Sequence, residues 1–167
     1  QFVAALASEG IALQVATAAE VRFGAELMAG IAAGSIPFLG EWQGRPVLLL
    51  EFPHGDVPFA AERMTRWLLQ RGILPMIAHP ERNKGILREP SRLRPFIEQG
   101  CLLQVTAGAV AGHFGPAAAA VAHDLLVEGR VTVLASDAHN LAYRPPILSE
   151  GVRHAAQLIG EARAEVL

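Results

Sequence analysis

The chain has 167 residues, 51% of them hydrophobic, a formal net charge of −2 and one cysteine. That balance fits one globular domain with a sizeable core, excludes a disordered segment, and argues against nucleic acid as the main partner. Cys101 has no partner for an internal disulfide, which points to a reducing cytoplasm. No apolar run reaches the roughly 18–20 residues of a membrane-spanning helix, and no signal peptide is expected.

In chain order, residues 1–9 ("QFVAALASE") predict a helix closed by Gly10, and residues 11–20 ("IALQVATAAE") a strand ending near Glu20. Residues 24–34 have helical spacing, with Gly34 at the close and Pro37 beyond. Residues 45–52 ("RPVLLLEF") form a continuous apolar run, the pattern of a strand buried on both faces. A helix over 58–71 begins with Pro58 and ends before Gly72, followed by a strand over 73–79 ("ILPMIAH"). A helix over 90–99, a strand over 101–106 and a helix over 116–129 come next. A strand over 130–136 and a last helix over 149–167 complete the order, with Trp42 read as a loop cover and Trp67 as a helix-face core residue.

This alternation implies a parallel sheet with helices outside it, in a single domain over 1–167. An open doubly wound sheet and a (β/α) barrel both satisfy it. Phosphate-loop and dinucleotide fingerprints are absent, which removes two reasons to prefer the open sheet. About five βα units are too few to close a barrel, so the chain reads as the C-terminal part of one.

Active sites in parallel α/β proteins collect at the carboxyl ends of strands. There the sequence places Glu20, then Glu51 and His54, then His79, Glu81 and Arg82, then Gln104 and Thr106, and finally Asp137, His139 and Arg144. In "IAHPERN", His79 is suited to ligate a metal as neutral imidazole and Arg82 to fork two hydrogen bonds to a phosphate. The plain alternative is a buried imidazole bonded to backbone beside a surface Glu81–Arg82 pair. In "SDAHN", an extended backbone points Asp137 and His139 to one side, a carboxylate–imidazole set suited to Mn²⁺, Fe²⁺ or Zn²⁺. An Asx-type turn with a solvated His is the alternative.

Glu20 has the two oxygens needed to bridge metals, or equally caps the next helix. His54 is a further candidate for the mouth, while His113 reads as structural or solvated and His123 and His154 as ordinary helix residues. Cys101 opens a buried strand without an activating neighbour, and no G-x-S-x-G elbow marks a serine nucleophile.

Taken together, "EVRFGAELM", "LLLEFPH", "GILPMIAHPERN", "GCLLQVTAGAVAGHFG" and "ASDAHNLAYRPP" resemble the tyrosine-protein phosphatases of the PHP (polymerase and histidinol phosphatase) superfamily found with capsular and exopolysaccharide synthesis clusters. The likeness runs in register along the whole chain. It implies an α/β fold of the PHP type, a distorted (β/α)₇ TIM-like barrel of which the last five or so βα units are present. It implies a divalent-metal cluster, commonly Mn²⁺, with Glu20 as bridging carboxylate and His79, Asp137 and His139 as ligands. Arg82 and Arg144 would hold the phosphate of phosphotyrosine, with Asn140 also assigned to substrate binding. The implied chemistry is metal-assisted attack of water on phosphorus, with no cysteine nucleophile. The implied substrate is a phosphotyrosine protein, an autophosphorylating tyrosine kinase of the polysaccharide pathway.

The resemblance also implies an H-x-H strand and further Asp and His ligands at the start of the family's domain, which this chain lacks. The expectation is therefore a domain without its N-terminal βα units. Alternatives within the same resemblance are a phosphoesterase acting on histidinol phosphate and a degenerate, non-catalytic module.

Overall fold

The computed structural model describes residues 2–167; Gln1, on which the first predicted helix opens, lies outside the described residues. The chain is an α/β protein built on a six-stranded sheet. Its strands are β1 (Glu20–Arg22), β2 (Gly40–Trp42), β3 (Arg45–Glu51), β4 (Leu74–Ala78), β5 (Leu102–Thr106) and β6 (Val133–Ala135). The path runs β1-β3-β4-β5-β6, every neighbour parallel, with β2 antiparallel to β3.

The helices are α1 (Phe2–Ser8), α2 (Ala25–Ala32), α3 (Ala61–Gln70), α4 (Lys84–Arg88), α5 (Arg94–Glu98), α6 (Ala107–Val110), α7 (Pro116–Val127), α8 (Ser149–Ile159) and α9 (Glu161–Ala164). Among the described residues no helix is long and apolar enough to cross a membrane.

The core follows from strand alternation. Leu48, Leu50, Ile77, Leu103, Val105 and Leu134 point to one face and are buried under helices with Leu27, Leu68, Phe96, Ala122 and Leu126. The other face carries Val47, Met76, Gln104, Val133 and Ala135, which line an open, mainly apolar hollow with Leu39 and Trp42. Trp42 therefore stands on a strand at the edge of this hollow rather than in a covering loop, and Trp67 is half-buried against the core as expected.

Several predicted elements change length for local reasons. The strand expected over 11–20 pairs only from Glu20 onward, opposite Leu49–Glu51. Leu49 and Leu50 pair with β4 on one side and β1 on the other, and Val47 pairs with β4 and β2. Thus β2 takes the stretch of edge that a longer β1 would need, and Ile11, Leu13 and Val15 run exposed. The strand β2 was not expected from the sequence. It is joined to β3 through Gln43 and Gly44, both at positive φ (52° and 73°), the two-residue turn that matches strand twist.

Pro95 splits the helix expected over 90–99 into a 3₁₀ turn (Pro90–Leu93) and α5, because its ring displaces the carbonyl four residues back. Gly160, at φ 87°, divides the last predicted helix into α8 and α9. The last strand, expected over 130–136 and buried on both faces, is confined to Val133–Ala135. Only Leu134 is fully buried there, since its two neighbours face the open hollow.

Candidate metal and phosphate site

The carboxyl edge of the sheet gathers residues that the chain holds far apart. Glu20 sits on β1 opposite Leu49, Glu51 ends β3, His79 follows β4 and Asp137 follows β6 by two residues. Ligand-capable atoms of Glu20, His79 and Asp137 all lie within 4.8 Å of one another. His79 Nε2 donates to Glu20 Oε1 at 2.9 Å and stands 3.9 Å from Glu51 Oε1. Glu51, present among the strand-end candidates but given no role from sequence, thus borders the same cluster.

The backbone is strained where it delivers these groups. Among the described residues, the non-glycine positions with positive φ are Gln43, in the hairpin turn, and His79 (31°) and Asp137 (50°). Left-handed backbone costs a non-glycine residue of order 1–3 kcal/mol and concentrates at functional sites. At Asp137 it also changes the geometry predicted for "SDAHN": residues 137–139 are not extended, so the two side chains do not simply alternate to one face. His139 instead donates from Nδ1 to the Asp137 carbonyl at 2.9 Å, and its ring is largely exposed. That bond leaves Nε2 with its lone pair, the tautomer that ligates metals.

Asp137 is the junction between cluster and arginines. Its Oδ2 accepts hydrogen bonds from both Arg82 and Arg144, and its side chain is 8% exposed, against 11% and 28% for the two arginines. Asn140 acts locally, where its Oδ1 accepts from the backbone N–H groups of Ala142, Tyr143 and Arg144 and tightens the loop that aims Arg144. Pro145 and Ile147 continue that loop into α8, where Gly151 lies so close to Ala107 that a Cβ would meet its carbonyl oxygen at 2.5 Å.

Electrostatics follow from this crowding. The His79 hydrogen bond is the largest influence on Glu20 and lowers its pKa despite partial burial. For His79, burial is the largest influence and pulls down, but the Glu20 hydrogen bond with the charges of Glu20 and Asp137 outweighs it and the pKa rises. His54 is lowered by burial first, then by the charges of Arg82 and His79.

Glu81, a strand-end candidate whose plain alternative was half of a surface pair, is fully buried. Oε1 accepts from the Thr106 N–H at 2.9 Å, tying the turn after β4 to the end of β5, and burial raises its pKa. Asn83 caps α4 by accepting from Gly85 and Ile86. Two other imidazoles behave as expected: His113 pairs with Glu150 at 3.2 Å, and His123 donates to the Val110 carbonyl at 2.9 Å.

The donor set fits a divalent cation. Two carboxylates and an imidazole converge there, with His79 buried and Glu20 open to solvent, hard oxygen with borderline nitrogen. Among the described residues, buried side-chain polar atoms without a partner are Glu81 Oε2, Gln104 Nε2, Thr106 Oγ1 and Arg144 Nε, on β5 or in segments beside this cluster. Unsatisfied buried polar groups are rare in proteins, and their concentration here makes this edge a candidate ligand site.

Fold and site together define a parallel α/β protein with a candidate divalent-metal centre beside two arginines. The chain belongs to the family described as "Capsular polysaccharide synthesis, CpsB/CapC", whose profile matches residues 1–167. It is 36% identical over 139 residues to the tyrosine-protein phosphatase YwqE of Bacillus subtilis, covering 83% of this chain and 54% of that protein. It is 32% identical over 131 residues to CapC of Staphylococcus aureus, covering 78% of this chain and 50% of that protein. The chain thus spans about half the length of the curated relatives it matches.

Among solved structures, one from a study of YwqE and of CpsB from Streptococcus pneumoniae superposes with a TM-score of 0.86 at 31% identity. The match covers 98% of this chain and 65% of the other; the study describes those two proteins as metal-dependent tyrosine phosphatases.

Proposed function

We propose that the protein to which this chain belongs is a metal-dependent protein-tyrosine phosphatase of capsular polysaccharide synthesis. The observation that carries this reading is the Asp137 junction: one nearly buried carboxylate joins the Glu20–His79 cluster to Arg82 and Arg144. Glu20, His79 and Asp137 would hold the cation, with Glu51 and His139 beside them. A divalent cation held there, of which Mn²⁺ is our first choice, supplies an acidified water and neutralises phosphate charge.

The rest is the work of this chain's own side chains. Arg82 and Arg144 present planar guanidinium forks to the phosphoryl oxygens, where charge spreads in the transition state. Asp137 holds both guanidiniums in place before substrate arrives, and Asn140 keeps the Arg144 loop tight. Preorganised donors of this kind need no reorganisation at the moment of reaction. The parallel sheet is read as the larger part of a single PHP-type (β/α)₇ barrel domain. Its open inner face is the side that a closed barrel would enclose.

The substrate class is a phosphotyrosine protein of the capsule pathway, with an autophosphorylating tyrosine kinase as the leading candidate, in a reducing cytoplasm where buried Cys101 stays a free thiol. The test is hydrolysis of a phosphotyrosine peptide after chelation and Mn²⁺ readdition. Activity lost with EDTA and restored by Mn²⁺ is expected; full activity in EDTA overturns the reading.

A further inference from the structure

Phe114 has no role in the metal and phosphate reading, although it stands against Arg82 and shares a hollow with Arg144. The Arg82 guanidinium carbon lies 4.6 Å from its ring centroid. The ring lines a hollow of about 240 Å³ with His54, Arg82, Leu87 and Ala118. It also lines a second hollow bordered by Tyr143 and Arg144. Gly108 lies beneath: a Cβ there would meet the ring at 3.1 Å, so the missing side chain is what lets Phe114 lie against α6.

The Asp137 and Arg82 side chains are nearly buried, whereas Phe114 is exposed at the rim. The contacts run in one sequence, from Glu20 through His79 and Asp137 to Arg82 and then Phe114. In-line displacement puts nucleophile and leaving group on opposite sides of phosphorus. Arg82 joins Asp137 of the cluster to the Phe114 ring, so a leaving group directed away from the cluster would reach Phe114.

We propose that Phe114, with His54 and Leu87, forms the aryl subsite of this mouth: the ring of phosphotyrosine packs on Phe114 while its phosphate reaches Arg82 and Arg144. The inference rests on the phosphatase reading above and deepens it by naming what selects tyrosine. An aryl phosphate spans the rim with its ring. A serine phosphate must bring its own peptide backbone against Phe114 to reach the same arginines. Flat rings meeting edge-on or offset gain roughly 0.5–1.5 kcal/mol beyond the area they bury, which is up to about tenfold in affinity.

Because Phe114 also stacks on Arg82, its removal can act through the guanidinium as well as through the lost ring, and the experiment must separate the two. The Mn²⁺-loaded protein is titrated calorimetrically with phenylphosphonate and with methylphosphonate, which share the anion and differ in the ring. The wild type is expected to prefer phenylphosphonate by about tenfold. Phe114→Ala is expected to erase that preference while methylphosphonate affinity stays within about twofold, and Phe114→Tyr to retain it. His54→Ala should weaken the preference in part, giving a second variant if Phe114→Ala folds poorly. An unchanged preference in both alanine variants overturns the proposal. So does an equal loss for both phosphonates, which would make Phe114 only a support for Arg82. A wild type that binds neither phosphonate overturns the phosphatase reading itself.

Discussion

The helix-covered face of the sheet and its carboxyl edge meet opposite demands within a few residues of each other. On the covered face, Leu48, Leu50, Ile77 and Val105 have no measurable exposure and pack in one apolar cluster, which is where burial stabilises the fold. One or two residues further along, the same strands deliver Glu51, His79 and the buried Glu81, with two left-handed backbone positions and partnerless polar atoms. Each of those features is unfavourable for folding. The aliphatic face therefore supplies the stability that the polar edge consumes.

Substitutions on the two sides should fail in different ways. The largest effect falls on the edge. Asp137→Ala removes a proposed ligand and releases both arginines, so bound metal measured by elemental analysis should drop to background and phosphotyrosine hydrolysis should vanish. If either survived, the junction role of Asp137 would be wrong. Arg144→Ala should lower kcat/KM by about 10²–10³ while metal content stays at the wild-type level, since it removes one preorganised donor. A matching fall in metal would show that the two functions are not separable.

On the covered face, Leu50→Ala should cost about 2–5 kcal/mol in chemical denaturation. The residual folded fraction should still bind metal with wild-type affinity. Gly151→Ala sits between the two regimes: the added methyl meets the Ala107 carbonyl, and overpacking of this kind costs about 1–3 kcal/mol, read as a lowered Tm.

The smallest effect is expected at Cys101. Burial pushes its thiol up to about 12, so at pH 8 almost none is thiolate, and iodoacetamide should leave the native protein's activity unchanged. Rapid inactivation would reopen cysteine chemistry.

Much of this was legible in the sequence because strand ends are marked by abrupt changes in residue character. "MIAHPER" and "VLASDAH" announced His79, Arg82 and Asp137, and the structure gathers all three with Glu20 although Glu20 and Asp137 lie 117 positions apart in the chain. What stayed hidden depends on tertiary context. Nothing local reveals that Asp137 turns left-handed and changes the bearing of His139. Beside Arg82, Glu81 has no assigned role until β5 is laid against the turn and Thr106 accounts for the glutamate. The short β2 was masked because "WQG" is an unusual hairpin turn. Phe114, in a glycine-rich loop, gains significance only when Arg82 arrives from another strand.

Whether Glu20, His79 and Asp137 form one cation site at the carboxyl edge is decided by titrating Mn²⁺ into chelator-stripped protein and following the loss of the free-ion paramagnetic resonance signal, in the wild type and in His79→Ala. Saturable uptake is expected for the wild type, weakened at least about tenfold in the variant while circular dichroism shows both folded. Equal uptake by the two proteins would contradict such a site.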